Sequence, residues 1–212
     1  MKVRFFFPLL VVALPFSADA QSPLPPDIHP QTLSRLPPVT LEEVDEETRR
    51  LIADRLENAA RPGPTHISMW NPNERSLGIP TGEDSPVGPR LFQLAVLITA
   101  REIDQEYEWS SHEPAGLRQG LEQEVIDVVK YDRPVTGLAD KDATFITFGR
   151  TLLRENKVSS ELWERMVAHF GYQQTVQLLQ IMGAYLRVGI MLNAVDQQVP
   201  PDRDARLPPL ER

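Results

Sequence analysis

The residues best suited to chemistry lie in the segment from Ala100 to Pro114. Within it, Glu108 and His112 are four residues apart, so on a helix their side chains share a face and can touch. A carboxylate beside an imidazole orients the ring and favours its protonated form, which is what a proton-transfer pair requires. We therefore predict Glu108 and His112 as a catalytic pair, with His112 as proton donor or acceptor and Glu108 orienting it.

Another interpretation of the same spacing stays open. A glutamate and a histidine four residues apart often form an exposed or interface pair that contributes little to stability or function. A zinc site of the HExxH kind does not fit, because Gly116 occupies the position of the second histidine and no third ligand is evident. We predict no metal and no other cofactor.

Three neighbouring residues are predicted to bind the substrate. If the segment is helical, Arg101 lies on the same face as Glu108 and His112, where its guanidinium could hold a substrate carboxylate by two parallel hydrogen bonds. Tyr107 and Trp109 are predicted to shape the binding site. Packing in the core is the alternative role for both aromatic side chains.

The elements that must position these residues are helices. Apolar residues recur at helical spacing in seven segments, and no convincing alternating strand pattern is present. The segment Leu91–Ile98 is apolar almost all round, which predicts a central, buried helix. The sequence therefore predicts an all-α bundle of about six or seven helices. The predicted helices span residues 41–60, 90–104, 106–119, 122–130, 140–154, 160–170 and 173–195.

The chain divides into four parts by composition. Residues 1–20 have a positive start, an apolar stretch and a small-x-small site, which is typical of a cleaved secretory signal. An uncleaved anchor is the alternative, but the apolar run is shorter than the ~20 residues that a spanning helix needs. Residues 21–40 are a Pro-rich arm that we expect to be extended and solvated. Residues 41–200 form the helical domain, and 201–212 a C-terminal tail.

This division predicts an exported protein, either periplasmic or secreted. Beyond residue 20 we see no unbroken apolar run long enough to span a bilayer, so no membrane association is expected once the signal is removed.

Residues 61–89 are rich in Gly, Pro, Asn and Ser and show no helical or strand period. The segment is predicted to be a long loop, and loops of this length inside compact domains tend to be functional. Met69 and Trp70 either cover a pocket or anchor the loop on the core.

Composition excludes two classes of function. The formal net charge is −8, and no basic cluster is present to hold a nucleic-acid backbone. The chain of 212 residues has no cysteine, so thiol chemistry and disulfides are excluded. A small molecule is the expected partner.

Motifs across residues 87–200 resemble the carboxymuconolactone decarboxylase-like family, in the order in which that family has them. The most specific is the string Tyr-Glu-Trp-x-x-His-Glu-Pro at residues 107–114. The other matching segments are residues 94–102, 120–121, 133–134, 147–153, 158–163, 170–171 and 183–193.

The resemblance implies an alkyl hydroperoxidase D-like helical fold that assembles into trimers or hexamers, with pockets between helices that are often shared by subunits. It also implies one of two activities. The first is cofactor-free decarboxylation of a carboxylated muconolactone. The second is hydroperoxide reduction by a Cys-x-x-Cys pair followed by a histidine.

The chain departs from the peroxidase branch at both cysteines. His112 matches the histidine of that branch, while Glu108 and Gln105 occupy the cysteine positions. Gln93 occupies the position of a glutamate that precedes the pair. Without a thiolate the peroxidase mechanism is excluded.

These observations predict an exported, cofactor-free enzyme that acts on a lactone or related carboxylated small molecule by proton transfer. A decarboxylase or another lyase is the expected class of enzyme. The alternative from another class is a non-enzymatic ligand-binding or assembly module on the same fold. A homo-oligomer, either a trimer or a hexamer, is expected in both cases.

Overall fold

The computed structural model describes residues 24–26, 28–34, 36–42, 46–69, 87–204 and 207–210, and within this part the chain is helical with no strands. The predicted all-α class is therefore confirmed. The predicted signal segment and Trp70 lie outside the described residues. The helices are α1 Glu46–Ile52, a 3-10 helix Ala53–Asn58, α2 Pro64–Met69, α3 Pro89–Glu102, α4 Glu106–Arg118, α5 Gln123–Lys130, α6 Asp140–Glu155 and α7 Ser160–Ala194.

Helix α3 is the centre of the bundle, as its apolar composition predicts. Every residue from Phe92 to Glu102 is buried, and the helix contacts α4, α5, α6 and α7. Gly149 lets α6 approach closely, because a Cβ at this position would lie 2.6 Å from the Ile98 side chain. A buried central helix fixes the relative positions of the four helices around it.

Helix α7 begins and bends where the sequence indicates. The Ser159 side chain caps its start by accepting a hydrogen bond from the Leu162 backbone N–H at 3.2 Å. At Gly171 the backbone has φ 65° and ψ 170°, which breaks the helix at the predicted boundary between residues 170 and 173. The second part of α7 packs on α3, with Tyr185 against Phe92 and Gly189 against Ile103.

The part of α7 from Gln174 to Ala194 bears on the expectation of no membrane association, which stays a prediction. It has 21 residues and a mean hydropathy of 1.3, which by length and composition suffices to cross a membrane. The helix packs against α3, and 33% of its apolar window is buried. A core helix meets the same two criteria, and this one leaves Val176 and Ile190 exposed.

The predicted bounds of the first helix and of the long loop are both wrong. Residues 41–60 do not form one amphipathic helix, because α1 starts at Glu46 and continues as a 3-10 helix from Ala53. Residues 61–89 are not without structure, because Pro64–Met69 is helical. Met69 is 2% exposed and packs with Val39 and Ile52 in a small second core.

The described part of the Pro-rich arm is partly packed, whereas a solvated arm was expected. Within its described residues, Ile28, Leu33 and Val39 are buried. The Gln197 side chain, just beyond α7, donates hydrogen bonds of 3.0 Å to the carbonyls of Thr32 and Leu33. The apolar residues between the prolines explain the difference, since they can be buried once a turn brings them together.

His66 connects α2 to this arm and should make stability depend on pH. Its side chain is fully buried, and Nε2 lies 2.8 Å from the carbonyl oxygen of Pro37, so Nε2 carries the proton. Nδ1 has no hydrogen-bond partner among the described residues. Burial lowers the pKa of His66, and the nearby His29 lowers it further.

Because the folded state disfavours the charged imidazole, the unfolded chain binds the proton first as pH falls through about 6.5. We therefore expect the melting temperature to fall between pH 7.5 and pH 5. The His66→Gln variant should lose less over this range, since glutamine can donate to the Pro37 carbonyl without titrating. Equal pH dependence in both proteins would contradict this role of His66.

Candidate functional site

The start of α4 is fixed by one buried glutamine. After α3 the chain turns at Asp104, which has φ 52°, and α4 begins at Glu106. Gln105 caps α4, because its side-chain oxygen accepts hydrogen bonds from the backbone N–H groups of Tyr107 at 2.7 Å and Glu108 at 3.2 Å. Its amide nitrogen donates to Asn193 Oδ1 at 2.7 Å, which ties α4 to α7.

On the next turn of α4, Glu108 and His112 make the predicted contact. Glu108 Oε2 lies 3.2 Å from His112 Nε2. The Glu108 side chain is 7% exposed and the His112 side chain 16%, so the pair is largely, but not completely, shielded from water. The contact predicted from the four-residue spacing is therefore confirmed, while the catalytic role stays a prediction.

The other ring nitrogen of His112 faces α3. Gln93 is buried, and its Oε1 lies 2.7 Å from His112 Nδ1. An amide oxygen accepts hydrogen bonds, so Nδ1 carries a proton. A hydrogen bond between Nε2 and the Glu108 carboxylate requires a proton on one of these two groups. The imidazole is thus held from both sides, by Gln93 at Nδ1 and by Glu108 at Nε2.

Two aromatic side chains complete the surroundings of His112. Tyr185, from α7, lies edge-on to the imidazole with ring centroids 5.1 Å apart and an interplanar angle of 86°. Phe92, from α3, lies 6.3 Å from the imidazole and 5.8 Å from the Tyr185 ring. Residues of α3, α4 and α7 thus meet at one imidazole.

Arg101 lies apart from this group. The turn at Asp104 separates α3 from α4, so the condition of one continuous helix face is not met. The guanidinium is 1% exposed and donates to the carbonyl oxygens of Pro208 at 2.7 Å and Lys130 at 3.2 Å, as well as to Asp104. These contacts attach the C-terminal tail to the bundle, and binding of a substrate carboxylate by Arg101 stays a prediction.

Trp109 packs in the hydrophobic core. Its side chain is fully buried, and Nε1 donates to Glu113 Oε2 at 2.9 Å. Glu113 in turn pairs with Lys130 at 3.1 Å. These contacts place Trp109 in the alternative role of a core residue, and no described contact joins it to His112.

Tyr107 holds the segment before α2. Its hydroxyl donates to the Pro62 carbonyl at 2.9 Å, and the Arg203 guanidinium lies 5.1 Å from the ring centroid. Gly63, with φ 101°, packs against this ring, and a Cβ there would lie 2.2 Å from the Tyr107 hydroxyl oxygen. Burial raises the pKa of the Tyr107 hydroxyl, so it stays a hydrogen-bond donor.

A polar cavity of about 280 Å³ lies beside the start of α4. Gln105 and Tyr107 line it on one side, and Asn193 and Gln197 on the other. Gln105 therefore borders the cavity and also caps the turn that carries Glu108. Within the described ranges, no group of three or more histidine or acidic side chains is placed to hold a metal ion.

Sequence reasoning underestimated two residues of the site. In the sequence, Gln93 is notable only as a departure from the peroxidase branch. Its position twelve residues before Gln105 matches the glutamate of that branch, which indicates that it lies near the pair. Tyr185 belongs to an apolar helix, and its spacing there indicates packing rather than a place in the site. It lies 73 positions after His112 in the chain, and no local pattern links the two.

Comparison with solved structures shows the fold. The chain is similar to the alkylhydroperoxidase AhpD core of an uncharacterized peroxidase-related protein from Ralstonia eutropha JMP134, with a TM-score of 0.61 and 16% identity over 82% of this chain and 95% of that one. It is also similar to an uncharacterized peroxidase-related protein from Silicibacter sp. TM1040, with a TM-score of 0.58 and 11% identity over 85% and 95% of the two chains. No protein-family model and no curated protein matches the sequence. The chain has an alkylhydroperoxidase D-like fold without the cysteines.

Proposed function

We propose that this cysteine-free chain of alkylhydroperoxidase D-like fold is a cofactor-free enzyme that transfers a proton on a lactone or related carboxylated small molecule. The observation that carries the proposal is the placement of His112 between Glu108 at 3.2 Å and Gln93 at 2.7 Å. His112 is the proton donor or acceptor, and Glu108 and Gln93 orient the ring. Such a positioned acid or base accelerates reactions by typically ~10²–10⁴-fold.

The charge balance of the pair supports transfer in either direction. With Nδ1 bonded to the Gln93 oxygen, the proton between Nε2 and Glu108 is the one available to a substrate. If it leaves, the glutamate charge remains beside an imidazole whose orientation Gln93 still fixes. The pair can therefore give up a proton and take it back without a large movement of either side chain.

A decarboxylation on this site needs no co-reactant. The carbon–carbon bond to the substrate carboxylate breaks, and its electron pair moves into the conjugated lactone carbonyl as CO2 leaves. His112 then delivers a proton to the carbon that lost CO2. Atoms and charge balance when one proton is consumed. Because the carbon–carbon bond breaks without hydrolysis, the activity is that of a lyase.

We further propose that the protein is exported and works as a homo-oligomer, a trimer or a hexamer. Export is supported by residues 1–20. Assembly is supported by the exposed apolar side chains of α7, where Val176 is 47% and Ile190 59% exposed. Amino-terminal sequencing of the purified protein and sedimentation velocity test these two statements separately.

The proposed reaction is tested with two compounds. Purified protein is incubated in D2O with α-angelica lactone, a neutral lactone with an acidic C–H, and with a carboxylated muconolactone. Proton NMR records deuterium uptake at carbon in the first compound. In the second compound it records the replacement of the substrate signals by those of the decarboxylated product. We expect protein-dependent exchange or decarboxylation that His112→Gln abolishes. Reaction at the same rate with the variant would refute the role of His112.

Binding without catalysis is the second candidate, and the polar cavity beside α4 supports it. About 280 Å³ suffices for a small ligand, and its lining is separate from His112. This candidate predicts that a ligand raises the melting temperature while NMR shows no change in the ligand.

A further inference from the structure

Among the side chains that the structure describes, Tyr185 is a tyrosine whose ring packs directly against His112 of the proton-transfer pair. Its ring contacts His112 edge-on at 5.1 Å and Phe92 at 5.8 Å. The ring comes from α7, whereas His112 comes from α4, so packing of the bundle is what brings them together. The side chain is partly buried.

The Tyr185 hydroxyl has no hydrogen-bond acceptor among the described residues. The other site tyrosine differs, since the Tyr107 hydroxyl donates to Pro62 at 2.9 Å. Burial and the negative charge of Glu108 raise the pKa of Tyr185 well above its usual range. Its O–H therefore keeps the proton near neutral pH and has a hydrogen bond to give.

A proton donor without an acceptor, next to a proton-transfer pair, has the chemistry needed to stabilise a developing oxyanion. When a carbon next to a lactone carbonyl loses a proton or CO2, negative charge moves onto the carbonyl oxygen. A preplaced O–H aimed at that oxygen stabilises the charge as it forms.

We propose that the Tyr185 hydroxyl donates a hydrogen bond to the carbonyl oxygen of the substrate, so that a lactone or similar enolisable carbonyl compound is the group this site recognises. The proposal rests on the proton-transfer function argued above and adds a residue to it.

Binding of 4-nitrophenol tests this assignment without requiring turnover. Its phenolate resembles an enolate oxygen on a flat ring, and its absorbance differs from that of the phenol. Parent, Tyr185→Phe and Tyr131→Phe proteins are titrated at equal concentration, and their folding is checked by circular dichroism. Tyr131 is 43% exposed at the end of α5 and serves as the matched control.

We expect Tyr185→Phe to weaken phenolate binding about 10- to 100-fold, as for loss of a hydrogen bond to a charged group, while Tyr131→Phe binds like the parent. No binding by the parent, or binding by Tyr185→Phe within about twofold of it, would overturn the assignment. Deuterium uptake by α-angelica lactone is recorded with the same samples. Binding that depends on Tyr185 without any uptake would support this recognition role and refute the proton-transfer function.

Discussion

The His112→Gln protein is expected to turn over a lactone substrate about 10²–10⁴-fold more slowly than the parent, with its fold intact. Glutamine can place an amide N–H where Nε2 lies and so keep a hydrogen bond to Glu108. It cannot donate or accept the proton that the reaction needs. The loss should appear in kcat, because the proton moves in the transition state and not on binding.

The rate is measured by NMR at saturating substrate, and the fold is checked by circular dichroism. Arg154→Gln is a useful control, since Arg154 belongs to an ion pair with Glu102 elsewhere in the bundle. If the rate of His112→Gln is within about threefold of the parent rate, His112 is not the proton carrier, because loss of the carrier should slow the reaction far more.

Trp109→Ala is expected to lower the free energy of unfolding by about 3–5 kcal/mol, the range found for removal of a large buried aromatic side chain. Trp109 is fully buried, and its indole N–H is a hydrogen-bond partner of the buried Glu113. The substitution would leave a cavity against α3 and remove a donor from that carboxylate. The effect falls on stability because Trp109 contacts the core and not His112.

Urea unfolding of the parent, Trp109→Ala and Trp163→Ala measures this difference. Trp163 is only partly buried against the core, so its loss should cost clearly less. A change below about 1 kcal/mol for Trp109→Ala would mean that the side chain is not packed as described.

The sequence predicted the bundle because helical periodicity is a local property. The central position of α3 followed from its apolar residues, and the break in α7 followed from Gly171. The arm was mispredicted because proline content favours extended chain, whereas the burial of Ile28 and Leu33 depends on distant partners such as Gln197. Composition alone carries no information about such partners.

The candidate site was predictable only where its contacts are local. The four-residue spacing of Glu108 and His112 fixes their contact on one helix. The turn at Asp104 changes the direction of the chain, so the same spacing argument failed for Arg101. Tyr185 joins the site from a helix far along the chain, and only the packing of α7 on α3 could reveal it.

The most direct test of the central claim compares the thermal stability of Glu108→Ala and His112→Ala with that of the parent, at neutral pH and matched concentration. Residues kept for chemistry are often held at some cost to stability, so their removal costs little or stabilises the protein. The pair of the buried Glu102 with the exposed Arg154 provides the structural reference, and Glu102→Ala should lower the melting temperature.

If the pair serves proton transfer, both variants will melt at or above the parent temperature while Glu102→Ala melts below it. If both instead lose several kcal/mol, as expected for a broken buried pair that holds the fold, Glu108 and His112 are structural and the proposed activity is wrong.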